Sequence, residues 1–282
     1  MQRLCDLHTH SYYSDGTYSP SMIIDEAISL GLSAVALTDH NTTAGLAEFK
    51  EAAQDSDVRA ICGVEFSTDF EGRELHVIGL YIDECFYPEI EEKMIQIHRQ
   101  KDAANRRLVE KLGEMGFDIT FEEVEATATG HPNRAHIADV MWKKGYVPSI
   151  KEAFARYLDP KLGIYVLPPR PCAIETVKYI KSIGAVPVLA HPYLSFEDED
   201  QLERFLTEAI PEGLAAIEAY YSGYDEATTE RALATVRKFN ILPSGGSDFH
   251  GEKRPGVYLG VGRDNLAIPA SVEESLATFS AR

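Results

Sequence analysis

Six of the nine histidines in this 282-residue chain lie in short polar segments, each at the end of a strand-like apolar run. The series opens with His8-x-His10 and Asp15, continues with Asp39-His40, Glu65, His76 and His191, and closes on Asp248-x-His250. Residues i and i+2 of a strand share a face, so His8 and His10 can grip one ion together. Imidazole and carboxylate are the ligands that borderline and hard divalent ions prefer. Leaving Asp39 aside, the set is His8, His10, Asp15, His40, Glu65, His76, His191, Asp248 and His250. That is more than one ion can use, so the pattern predicts a multinuclear site and metal-assisted hydrolysis. The competing reading, ordinary polar residues at strand edges, weakens each time the pattern recurs at a strand end.

The surrounding chain alternates strand and helix signals. Strands are expected at 4–10, 34–39, 59–65 and 75–81, with helices at 20–30 (capped by Ser19 and stopped at Gly31) and about 44–53, where Thr42 and Thr43 serve as caps. Residues 88–168 carry helical signals only and read as an all-α insertion between barrel segments 1–87 and 169–282. The Pro168-Pro169-Arg170-Pro171 run marks the return. Alternation then resumes, with strands at 185–190, 215–219, 242–245 and 257–262 and helices at 174–182, 201–209 and 226–239. Repeated βα units with ligand candidates at the C-terminal ends of strands are the layout of a parallel barrel active site, an α/β fold.

Charge narrows the substrate. The chain has 27 basic and 45 acidic residues, a formal net charge of −18. Such a surface does not track along duplex nucleic acid, which needs a basic groove. A short anionic substrate stays open, because bound divalent ions reverse the local field. No apolar run approaches the ~20 residues of a membrane span, and the N-terminus shows no secretory pattern. Cys5, Cys62, Cys85 and Cys172 are scattered, without a C-x-x-C pair, which suits reduced thiols and a cytoplasmic location. Cys5 reads as a core filler. Oligomeric state is left open.

Seven segments together resemble the polymerase-and-histidinol-phosphatase (PHP) superfamily of metal-dependent phosphoesterases. They are Asp6-Leu-His-Thr-His10, Ser14-Asp-Gly16, Thr38-Asp-His40, Gly63-Val-Glu65, Glu74-Leu-His76, Ala190-His-Pro192 and Gly246-Ser-Asp-Phe-His250. The resemblance implies a distorted (β/α)7 barrel holding three divalent ions, manganese first, with iron or zinc as alternatives. It gives His8, His10, Glu65 and Asp248 to one ion. Glu65 then bridges to a second ion on His76 and His191, and Asp15, His40 and His250 take the third. Asp39 would orient His40 or a metal-held water, its rival role being a helix cap. Asp15, Glu65, His191 and Asp39 are thus the expected catalytic set, acting through a hydroxide bridging two ions.

Within the superfamily, the chain is most similar to a stand-alone branch with a helical insertion. Its members remove the 3′-phosphate of nucleoside 3′,5′-bisphosphates or trim short RNA from the 5′ end. Asp15 fits that branch. Asn133-Arg-Ala-His136 resembles its arginine motif, with Ala135 where proline is more usual, which makes Arg134 a phosphate clamp and His136 a weaker substrate contact. Lys253 and Arg254, on the loop after His250, are further substrate candidates, and Tyr220 or Tyr221 could stack on a base. His98 is expected to be exposed and His131 to lie in a loop. The expected substrate is therefore a small nucleotide or short oligonucleotide. The alternatives are a histidinol-phosphate-type phosphatase and a degenerate metal-binding regulatory module; the second is disfavoured because every ligand position is filled.

Overall fold

The structure is a computed structural model that describes residues 3–128 and 132–280, so His131 lies outside the described residues. The chain forms two compact units, one of Met1–Glu91 with Pro171–Arg282, the other of Glu92–Arg170. Among the described residues the first unit holds seven strands, ordered as in the sequence: β1 (Cys5–Asp6), β2 (Ala34–Leu37), β3 (Arg59–Phe70), β4 (Arg73–Leu80), β5 (Val186–Leu189), β6 (Ala216–Tyr221) and β7 (Leu242–Gly246). Its helices are α1 (Pro20–Ser29) and α2 (Leu46–Ala52), and the start of α3 (Tyr87–Glu114). The second unit contains the rest of α3 with α4 (Phe121–Glu125), α5 (Arg134–Lys143) and α6 (Ile150–Ala153). Back in the first unit follow α7 (Ala173–Ser182), α8 (Pro192–Ser195), α9 (Glu199–Glu212), α10 (Glu226–Phe239) and α11 (Ala270–Ser280).

The sheet curls into a nearly closed barrel. Leu7 N–H donates to Gly245 O at 3.1 Å, Asp248 N–H to His8 O at 2.9 Å, and His10 N–H to Phe249 O at 2.9 Å, which joins the first strand to the last. Leu7, Ala36, Ile61, Ile78, Val188 and Ala216 fill the interior, so this is a packed core and not a pore. The helical unit has a separate core around Leu108, Leu112, Val124, Ile137 and Met141.

One strand departs from the expected parallel arrangement. β4 runs antiparallel to both β3 and β5, whereas the remaining pairings are parallel. The cause is the connection: Glu71 (φ 54°) and Gly72 (φ 79°) form a two-residue turn with both residues left-handed, the hairpin geometry that matches strand twist. A parallel return would need a crossover of a dozen or more residues. His76 therefore sits early in its strand, not at its end. Because β4 is reversed, that early half lies beside the late half of β3, with His76 opposite Ser67 and its carbonyl accepting from Ala190 N–H at 3.0 Å.

Two smaller expectations also fail. Residues 257–262 form turns closed by a Tyr258–Gly262 bridge, because Gly256, Gly260 and Gly262 all take left-handed φ. Thr42 and Thr43 do not cap α2, whose N-cap is Gly45; both hydroxyls and the Thr43 N–H donate to Glu91 Oε1.

Candidate metal centre

Glu65 is the hub. It lies midway along β3, is 1% exposed, and is tied to the end of β2 by Asn41 N–H donating to its carbonyl and by its own N–H donating to Asp39 O. Its two carboxylate oxygens face different rings. Oε2 meets His8 Nε2 (3.1 Å), His10 Nε2 (3.2 Å) and His40 Nδ1 (3.2 Å), whereas Oε1 meets His76 Nδ1 (2.8 Å) and His191 Nε2 (3.2 Å). Asp248 Oδ1 joins the first group, 3.2 Å from His10 Nε2 and 3.6 Å from His8 Nε2. A third cluster collects Asp15, His40, His250 and His10, with His250 Nε2 3.2 Å from Asp15 Oδ1.

These residues fit divalent ions on two observations. Ligands held about 2.1 Å from one ion lie roughly 3.0–3.4 Å from each other. Four of the five imidazole nitrogens around Glu65 lie at that spacing, with His76 closer at 2.8 Å. Moreover, His40 Nδ1 approaches Glu65 without the angle of a hydrogen bond, and the buried Nδ1 atoms of His10, His40 and His191 have no hydrogen-bond partner. A buried imidazole nitrogen set against a carboxylate oxygen without a hydrogen bond, as His40 Nδ1 is, is an arrangement a cation resolves. The expected residues thus gather at one rim of the barrel, although the groupings differ in part: His10 joins the Asp15 cluster, and His40, Glu65 and His76 lie together as a further set.

The electrostatics agree. Burial opposes ionisation of Glu65, yet His40, His8 and His76 outweigh it and hold the carboxyl well below its usual range; His8 and His10 do the same for Asp248. Burial also opposes a charged His10 and His76, but Asp248 and Glu65 raise His10 to about 9, and Glu65 with Glu74 raises His76 to about 10. Burial, aided by the charges of His10 and His76, leaves His40 neutral at about 3 despite Glu65 and Asp15. Against burial, Glu218, Glu65 and Asp248 likewise raise His8 well above its usual range, so an incoming ion competes with protons on His8, His10 and His76. Metal affinity is expected to rise with pH, by about tenfold per pH unit for each proton displaced. Zinc titrations at pH 6.5 and 8.5 check this, and equal affinities at the two values would contradict it.

The other expected residues fall in varied places. Asp39 accepts from Ser11 N–H (2.8 Å), Ser11 Oγ (2.6 Å) and Ser14 Oγ (2.5 Å), so it braces the loop that delivers Asp15. Arg254 donates to Asp248 Oδ2 and, at 3.0 Å, to the Tyr221 hydroxyl, while Lys253 is exposed. Arg134 stacks over Tyr165 at 4.9 Å and donates to Leu158 O, and His136 Nδ1 accepts Asn133 N–H in a capping box that starts α5. Tyr220 packs against the barrel core, Cys5 is buried there, and His98 is half-buried, not exposed as expected.

Two contributors do not stand out in the sequence: Glu218 holds His8 and His191, and Asp6 holds the His8 and Ser247 backbones. Tyr221, expected to stack on a base, is instead buried and donates to Asp248 Oδ2 at 2.7 Å. The available signal was a lone carboxylate inside an apolar strand, as in Ala216-Ile217-Glu218.

A barrel whose rim gathers histidines and carboxylates in sets spaced for divalent ions defines a metal-dependent hydrolase. The PHP domain family model matches residues 6–218. A 5′-3′ exoribonuclease of Haemophilus influenzae is 31% identical over 256 residues, covering 89% of this chain and 91% of that protein. A 3′,5′-nucleoside bisphosphate phosphatase of Chromobacterium violaceum is 27% identical, covering 90% of each. The solved structure of a metal-dependent phosphoesterase from Bifidobacterium adolescentis superposes with a TM-score of 0.82 at 30% identity, covering 98% of this chain and 96% of that one. The chain belongs to the PHP family, and it is a metal-dependent phosphoesterase. Among the described residues no helix is long and apolar enough to cross a membrane.

Proposed function

We propose that the protein hydrolyses the 3′-phosphoester of a 5′-phosphorylated nucleotide. The first substrate is a nucleoside 3′,5′-bisphosphate; the second is short 5′-phosphorylated RNA, supported by the relative named as an exoribonuclease. One reaction serves both. Water adds to the phosphorus, the P–O3′ bond breaks, and the 3′-oxygen leaves and takes a proton. The products are a nucleoside 5′-monophosphate and either inorganic phosphate or an RNA shortened by one unit. The observation that carries the reading is Glu65, whose two oxygens address separate imidazole sets.

We assign three divalent ions to the site, manganese first, on the ligand sets given above. When bound, such ions lower the pKa of water and neutralise phosphate charge. The chain's own residues set the geometry: Glu65 keeps the two imidazole groups facing each other, and Asp39 fixes the loop that carries Asp15. Arg254 and Lys253 after Asp248, and Arg134 with His136 on the motif resemblance, are the candidates to receive anionic parts of the substrate. A net charge of −18 suits a substrate of one or a few nucleotides better than a long strand. A nucleotide-processing role of this kind would place the protein in the cytoplasm.

The test is product identity after manganese reconstitution, with adenosine 3′,5′-bisphosphate, AMP, histidinol phosphate and a short 5′-phosphorylated RNA as substrates. The bisphosphate should give 5′-AMP on the order of 100-fold faster than AMP or histidinol phosphate is hydrolysed. The RNA should release 5′-mononucleotides from its 5′ end. Faster phosphate release from histidinol phosphate, or 3′-mononucleotides from the RNA, would overturn the reading.

A further inference from the structure

Glu218 is a carboxylate within a buried strand, third in β6 and itself 1% exposed. Each of its oxygens has a task. Oε1 lies 2.9 Å from His8 Nδ1, and Oε2 accepts the backbone N–H of His191 at 2.7 Å. Imidazole is far more basic than a carboxylate, so the proton shared with Oε1 resides on His8 Nδ1. That leaves His8 Nε2 as the atom an ion would claim; it lies 3.1 Å from Glu65 Oε2 and 3.0 Å from His10 Nε2.

The second contact bears on backbone strain. His191 takes φ 29° and ψ 54°, a conformation that costs a non-glycine residue about 1–3 kcal/mol unless its surroundings fix it. Glu218 is the acceptor for that residue's N–H, and in this conformation His191 Nε2 reaches Glu65 Oε1 at 3.2 Å. His8 and His191 thus approach Glu65 from different oxygens while resting on one shared carboxylate. The other polar groups described around the ligands are narrower. Asp6 touches the backbones of His8, Ser247 and Gly260, and Tyr221 donates to Asp248.

We infer that Glu218 is a positioning residue that couples the two ion positions on either side of Glu65, fixing the ring tautomer of His8 and the backbone of His191 together. Glu218→Gln keeps the shape but cannot serve both contacts. If its one oxygen accepts from His8, its amide NH2 opposes the His191 N–H. If the amide flips, the NH2 donates to His8 Nδ1 and drives the ring proton onto Nε2, the atom needed as a ligand. The inference rests on the metal reading of the site and is independent of the substrate.

Zinc titration of metal-free protein, with bound metal quantified at each step, tests it. Glu218→Gln should weaken both positions together, by about 10–100-fold. Tyr221→Phe, which removes the hydroxyl shared by Asp248 and Arg254 but keeps the ring beside His191, should weaken the Asp248 position alone. A second readout needs no variant: long-range 1H–15N correlation spectra of zinc-loaded wild-type protein should show the His8 proton on Nδ1. Wild-type affinity at both positions in Glu218→Gln, a loss confined to one position, or a His8 proton on Nε2 would each overturn the inference. The spectrum of the wild-type protein decides the matter if Glu218→Gln does not fold. A wild-type protein that takes up no zinc, manganese or iron would instead remove the metal reading itself, and this inference with it.

Discussion

Replacing Glu65 by Gln is expected to lower kcat/KM by about 10³-fold or more, some 4 kcal/mol of transition-state stabilisation, and to strip metal from the protein. Five imidazoles converge on the two oxygens of this one carboxylate. An amide keeps a single acceptor oxygen, removes the negative charge, and turns an NH2 toward rings that must offer lone pairs. The site cannot compensate by rearrangement, because Glu65 is buried and its backbone is paired along β3 with both neighbouring strands. That same backbone pairing should preserve the fold, so the loss ought to appear as missing metal and missing turnover, with the circular dichroism spectrum unchanged. Elemental analysis beside kinetics on adenosine 3′,5′-bisphosphate makes the test. Near-normal turnover in a fully loaded variant would remove Glu65 from the centre of the site.

The candidate ligands were legible because they are chemically scarce and most of them follow the ends of strands, where βα barrels place their chemistry; Glu65, midway along β3, and His76, early in β4, are the exceptions. What the sequence concealed depends on residues far apart in the chain. Glu218 acts on His8, 210 positions away, and looks locally like one polar residue in a strand. Thr42 and Thr43 have the residue types of helix caps, and only the arrival of Glu91 nearly fifty positions later shows what they bind. The direction of β4 hid for another reason. Glu71-Gly72 lacks the Asn-Gly or Asp-Gly signature of a tight hairpin, so the reversal that brings His76 to the rim was not visible before the pairing. Arg254 was picked out as a loop cation near the site, yet its engagement with Asp248 and Tyr221 could not be read from position alone.

The second large effect concerns the scaffold beneath the site. Asp6→Ala is expected to destabilise the metal-free protein by about 3–5 kcal/mol, lowering Tm by on the order of 10 °C. Asp6 is fully buried, and its oxygens accept from Ser247 N–H at 2.9 Å, Gly260 N–H at 2.8 Å and His8 N–H at 3.3 Å. Alanine leaves three buried N–H groups without their acceptor, and each buried donor left unmade costs about 1–3 kcal/mol. Asp6→Asn should fall between, since its one oxygen can keep Ser247 while the amide NH2 meets Gly260 N–H as donor against donor. The consequence reaches the chemistry through geometry. Asp6 joins β1 to the segment after β7 where the barrel closes, and it aligns His8 with Asp248, whose side chains lie 3.6 Å apart in the proposed ligand set. Measuring in the metal-free state separates this structural effect from any loss of bound ions. If the midpoint of Asp6→Ala stayed within about 2 °C of wild type without metal, the barrel seam would owe its stability to the backbone ladder, and Asp6 would matter only through His8.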